Sequence, residues 1–91
     1  VVPYPNPFRD VTYITFRLLA PSQVKLGIFT LTGKKVREYD GGYLNSGYNQ
    51  IMWDGKDKSG HEVGNGVYIY KLYATNDQKE SVTYGKISKE R

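Results

Sequence analysis

Oxygen donors and a histidine gather between Asp54 and Glu62, where Asp54-Gly55-Lys56-Asp57-Lys58-Ser59-Gly60 runs into His61. Asp54, Asp57 and Ser59 are oxygen donors close in sequence, the glycines permit a sharp bend, and Glu62 would be the late acid of a calcium loop. Lys56 and Lys58 add repulsive charge, and a strong site needs more carboxylates than this stretch holds. The expectation is therefore no metal, and an Asx-type turn in which the aspartates accept backbone amides. Ser59 and His61, the only histidine, suggest a hydrolytic pair. Nothing nearby forms a recognisable orienting third member, and a sandwich of this size has little room for a deep pocket. No enzyme, no catalytic residue and no cofactor is expected, with His61 exposed beside a turn.

A second chemistry is open to the tyrosines, nine in a chain of 91 residues. Tyr39, Tyr43, Tyr48, Tyr70 and Tyr73 could stack on sugar rings, with Asn49 or Gln50 holding hydroxyls. Strand alternation turns several of them inward, so carbohydrate binding, with a surface polysaccharide as partner, stands as an alternative. Thirteen Lys and Arg against nine Asp and Glu leave a net charge of +4, spread along the chain. Only Lys86, Lys89 and Arg91 cluster, and Glu90 partly cancels them. Nucleic-acid recognition needs a denser basic face, so no nucleic-acid partner is expected. No run of about 18 apolar residues is present, so no membrane span is expected. With no cysteine, stability must come from packing.

The elements that would position these residues are strands. Pro3-Tyr4-Pro5-Asn6-Pro7-Phe8 forbids helix and reads as an extended, polyproline-like lead-in, either a strand or a linker end. From Thr12, Ile14, Phe16 and Leu18 alternate with Tyr13, Thr15 and Arg17, a half-buried strand. After Ala20-Pro21-Ser22, Val24, Leu26 and Ile28 resume the pattern, and the two strands read as a hairpin. Thr32-Gly33-Lys34 is a turn signal, and Lys35 to Tyr39 is charged enough for a short edge strand that Asp40-Gly41-Gly42 closes. Tyr48 to Trp53 alternates with either face open to burial. Val67 to Ala74 is the longest strand and is expected at the centre, with Ser81 to Ser88 beside it after a turn at Asn76-Asp77-Gln78. The sum is an all-β, immunoglobulin or fibronectin III-like antiparallel sandwich of about seven strands.

Four motifs stand in one order: YPNPF (4–8), FTLTGKKV (29–36), WDGKDKSG (53–60) and GNGVYIYKL (64–72). Together they resemble the immunoglobulin-like C-terminal domains of secreted Bacteroidetes proteins, which include the type IX secretion sorting domains, and are similar to the Ig-like domain of the flagellar hook-capping protein. The resemblance runs from Tyr4 to about Ile87. Each motif also has a local reason: Pro5, Asn6 and Pro7 fix the lead-in path, Gly33 allows a turn, Trp53 caps the core, and Asp54-Gly55 turns the chain. The resemblance implies a non-catalytic module for type IX-type export and cell-surface attachment of a secreted protein. Gly66, Val67 and Tyr68 and the pair Lys86 and Ile87 match the positions associated with recognition.

The partners so implied are the outer-membrane secretion machinery and a neighbouring domain of the parent protein. Residues 1–91 are read as one such domain, with 1–8 as a linker or lead-in. It would be the C-terminal module of a larger chain whose targeting sequence lay upstream of Val1. The tail Ser88-Lys89-Glu90-Arg91 is more polar than the apolar finish of that family. A spacer or assembly role in an extracellular protein is the structural alternative, with Lys35 to Tyr39 or Ser81 to Ser88 as the docking edge.

Overall fold

The computed structural model describes residues 2–91. Seven strands follow one another: β1 (Val2–Tyr4), β2 (Thr12–Leu18), β3 (Ser22–Thr30), β4 (Lys35–Leu44), β5 (Gly47–Trp53), β6 (Gly66–Thr75) and β7 (Glu80–Lys89). They form two antiparallel sheets, one in the order β1-β2-β5 and the other in the order β4-β3-β6-β7. Alternation decides which side chains meet between them. Ile14, Phe16 and Leu18 of β2 face Val24, Leu26 and Ile28 of β3 and Tyr68, Tyr70 and Leu72 of β6 in one buried cluster with Phe8, Trp53 and Ile87.

The antiparallel sandwich of seven strands matches the expected architecture, and four of its details differ. First, β2 and β3 are not a hairpin. β2 pairs with β1 and β5, while β3 pairs with β4 and β6, so the short link between them crosses from one sheet to the other. Alternation identifies the face that a strand buries and says nothing of its partner. Second, the edge strand does not close at Asp40. The register shifts between Val24 and Lys25, so Asp40-Gly41-Gly42 is a bulge that absorbs an extra residue, and β4 runs on to Leu44.

Third, the opening segment is not polyproline-like. After β1 the chain bends over residues 5–7, with cis peptide bonds at Tyr4–Pro5 and Asn6–Pro7, and delivers Phe8 to the core at 1% exposure. Fourth, β6 lies between β3 and β7 as expected, but it shares its length of 10 residues with β4 and β7. On β5 the inward face is Asn49, Ile51 and Trp53, with Tyr48 and Met52 exposed. Trp53 closes one end of the core, its ring 5.2 Å from that of Phe8 and 5.5 Å from that of Tyr68. Its indole N–H donates to the Lys56 carbonyl at 3.0 Å, which satisfies the one polar atom it buries.

Candidate functional site

The residues singled out on β6 and β7 fall into two groups, because facing residues of paired strands share a side of the sheet. Tyr68 pairs with Ile87, and both point into the core, Ile87 fully buried. Val67 and Lys86 lie on the outer surface, where Val67 pairs with Ser88 and Lys86 with Ile69. Gly66 opens β6 opposite Lys89. Only Val67 and Lys86 therefore present side chains to a partner of the folded domain. The outer surface also carries Val82 and Tyr84 of β7, the latter 63% exposed. Lys71 stands across from Tyr84 with its ammonium 5.6 Å from the ring centre.

The far side of β7 is the margin of its sheet, and it is divided into two halves. Over its last residues it is closed by the lead-in segment. The Asn6 side-chain carbonyl accepts the Ser88 N–H at 2.8 Å, Phe8 N–H donates to the Ser88 carbonyl, and Glu90 N–H donates to the Phe8 carbonyl, both at 2.9 Å. The Asn6 amide also donates to the Lys86 carbonyl at 3.4 Å. Phe8 and Lys89 thus form a parallel bridge. Backbone groups alternate sides along a strand, so Glu80, Val82 and Tyr84 turn their N–H and C=O the same way as Ser88. No strand meets them there among the described residues.

The inner side of the same tail is tied down by charge. The Lys89 side chain is 2% exposed, and its ammonium donates to the Val63 carbonyl at 2.6 Å and to Glu62 Oε1 at 3.2 Å. Arg91 donates to the same carboxylate. The hydrogen bonds from Lys89 and Arg91 hold the Glu62 carboxyl below the usual glutamate range. Asn65 and Arg91 complete the closure, the Asn65 amide donating to the Arg91 carbonyl and the Arg91 N–H returning to Asn65 Oδ1, each at 3.2 Å. The basic tail is thereby dispersed: Lys89 is interior, Arg91 is paired and only Lys86 projects. Sequence reasoning gave Asn6 a part in fixing the lead-in path, Glu62 a place in the loop and Lys89 a place in the basic tail, but not the bonds that join Asn6 to β7 or Lys89 to Glu62 and Val63.

The aspartate loop is a small hairpin closed by a Lys56–Glu62 bridge. Asp54 Oδ1 accepts the Arg37 guanidinium at 3.0 Å and the Lys56 N–H at 3.1 Å. Asp57 Oδ1 accepts the N–H groups of Ser59 and His61 at 2.9 and 3.0 Å. The amide of His61, chiefly, holds the Asp57 carboxyl below its usual range. Arg37 also donates to the Lys56 and Asp57 carbonyls, locking the loop against β4. His61 is exposed, with Nδ1 3.9 Å from Asp57, and Ser59 makes no side-chain contact with it. Gly55 sits at φ +72°, and a Cβ there would meet the Phe8 ring at 3.1 Å. Gly33, at φ +93°, turns β3 into β4 while its N–H donates to the Thr30 carbonyl.

The five candidate tyrosines do not share a surface. Tyr70 belongs to the core, Tyr39 packs against it and has its phenol pKa raised by burial, and Tyr48 projects from the other sheet. Tyr43 and Tyr73 remain on the outer face of the four-stranded sheet, on β4 and β6.

Residues 6–78 match the family described as the FlgD Ig-like domain. No curated protein matches the chain by sequence. Among solved structures, FlgD from P. aeruginosa is 25% identical and superposes with a TM-score of 0.75 over 87% of this chain and 61% of that one. Latent dimeric PorU from Porphyromonas gingivalis is 24% identical, with a TM-score of 0.80 over 98% of this chain and 9% of its own. PorZ of the same organism, described as an essential surface component of the type-IX secretion system, is 20% identical, with a TM-score of 0.66 over 100% of this chain and 11% of its own. The chain thus spans less than two thirds of each of these proteins, and the PorU and PorZ likenesses show a shared fold. With four-fifths of its residues inside the family match and the same sandwich in FlgD itself, the chain belongs to the FlgD Ig-like domain family.

Proposed function

We propose that this domain is a non-catalytic export and surface-attachment module of a larger secreted bacterial protein, engaged through β7 by outer-membrane secretion machinery. The observation that carries the reading is the half-open margin of β7. Glu80, Val82 and Tyr84 turn unpaired backbone groups outward, Val82, Tyr84 and Lys86 present side chains, and the tail beyond is held in place by Asn6 and Phe8. An open strand of this kind accepts an extended segment by backbone pairing, with the side chains supplying selectivity. Val67 lies on the same surface, while Tyr68 and Ile87 contribute by keeping the two strands in register. The domain works at the cell surface, beside a neighbouring domain of its parent.

The test is secretion of a folded reporter fused to residues 1–91 in a host with a type IX system. The paired variant carries Val82→Glu and Lys86→Glu, two exposed changes that leave the core untouched. Export of the parent fusion to the surface, with the folded variant retained in the periplasm, is the expected result. Retention of both, or equal export of both, refutes it. A second reading, assembly or spacing within an extracellular structure, draws on the FlgD match. FlgD from Xanthomonas campestris, 17% identical with a TM-score of 0.68, is described in connection with hook capping essential for flagellar assembly. Equal export of both fusions would favour that reading.

A further inference from the structure

A cleft at the end opposite the aspartate loop belongs to none of the four motifs. Open to solvent, it offers about 530 Å³ between the β2–β3 link, the last residues of β4 and the β6–β7 turn, a volume within the range of small-ligand sites. Its floor is a row across the sheet, since Tyr43 of β4 pairs with Gln23 of β3 and Gln23 with Thr75 of β6. Over this row curls the turn Asn76-Asp77-Gln78. Asn76 holds the turn rigid: its side-chain carbonyl accepts the N–H groups of Gln78 and Lys79, and its amide donates to the Ser22 hydroxyl. That hydroxyl donates in turn to the Ala20 carbonyl, which ties the turn to the opposite wall.

What this frame leaves unused is a specific set of groups. Tyr43 is 64% exposed, and the side chains of Gln23, Tyr43, Asp77 and Gln78 make no hydrogen bond or ion pair among the described residues. Two amides and a carboxylate beside an exposed ring are the groups that hold vicinal hydroxyls while a sugar's C–H face lies on the aromatic. No Lys, Arg or His lines the cleft, and Asp77 would repel a phosphate or carboxylate, which selects against anionic ligands and nucleic acid.

We propose that this cleft is a binding site for a neutral oligosaccharide, with Tyr43 as the stacking platform and Gln23, Asp77 and Gln78 as hydroxyl partners. The experiment follows backbone amide shifts of the labelled 91-residue chain during titration with cellotetraose, maltotetraose, mannotetraose and xylotetraose, each taken to tens of millimolar. Saturable shifts from at least one sugar, confined to residues 20, 22, 23, 43 and 75–78, are expected. Tyr43→Ala and Gln23→Ala, each checked for an unchanged thermal midpoint, then weaken binding by about tenfold or more, the factor carried by one good contact. Tyr48→Ala, at a more exposed tyrosine on the other sheet, leaves binding unchanged. The proposal is overturned if no sugar shifts the cleft residues, if shifts map elsewhere, or if Tyr48→Ala weakens binding as much as Tyr43→Ala.

Discussion

At the scale of single residues, the most consequential side chain is Lys89, a cation placed inside a sandwich. Its stem packs beneath Gly55, where an added Cβ would lie 3.5 Å from Lys89 Cε, and its ammonium is spent on Val63 and Glu62. Lys89→Met keeps the stem and removes the donor, leaving the Val63 carbonyl without its partner. The expected loss is about 1–3 kcal/mol in denaturant unfolding. Glu62 supplies a pH dependence. Because Lys89 and Arg91 lower its pKa in the folded state, its contribution is present at neutral pH and disappears as pH falls through the carboxylate range. The thermal midpoint should hold from neutral pH down to about 5 and fall below that. Glu62→Gln should start lower and fall less. Gly85 is equally constrained, since an added Cβ would run into the Tyr70 ring. Gly85→Ala is expected to cost about 1–3 kcal/mol by overpacking, measured by the same unfolding curves.

At the scale of elements, six of the seven strands and both margins of the four-stranded sheet are legible from alternation and turn chemistry, because each signal is local. Ile14, Phe16 and Leu18 announce a buried face wherever β2 happens to pair, and Asn76-Asp77-Gln78 announces a turn. Alternation does not show which strand lies beside which, so β2 and β3 read as a hairpin although the chain changes sheets between them. A glycine pair looks the same as a turn or as a bulge until the partner strand is known, which is why the local pattern ends β4 too early. The closure of β7 by Asn6 and Phe8 links positions 82 residues apart in one case, and no local pattern encodes that. Of the recognition positions, the sequence locates the strands and sets Val67 and Tyr68 on opposite faces, but it does not tell that Tyr68 and Ile87 are the inward pair and Val67 and Lys86 the outward one. Asn6→Ala removes the acceptor for the Ser88 N–H, and amide hydrogen exchange at Ser88 and Glu90 should accelerate while exchange in β3 is unchanged. Uniform acceleration across both strands would instead mean global destabilisation.

At the scale of the whole molecule, the sandwich is elongated, with extents of 39 × 23 × 20 Å, and its two ends differ in character. One is closed by Trp53, Phe8, the aspartate loop and the chain's tail, a dense set of turns and ion pairs. The other holds the cleft floored by Tyr43, Gln23 and Thr75. The cleft floor and the open margin of β7 meet at the Thr75–Glu80 pair, whereas Lys86 lies further along β7 opposite Ile69, so Lys86→Glu should leave oligosaccharide titrations unaltered, and Tyr43→Ala should leave export unaltered. The parallel contact of Phe8 with Lys89 also governs how the domain bears load. Tension that draws the lead-in segment towards its N-terminal side and the tail towards residue 91 slides the two along each other's length, so the Phe8–Ser88 and Glu90–Phe8 bonds are strained together in shear rather than peeled one after another. Terminal segments that meet this way resist tension as a unit, not bond by bond.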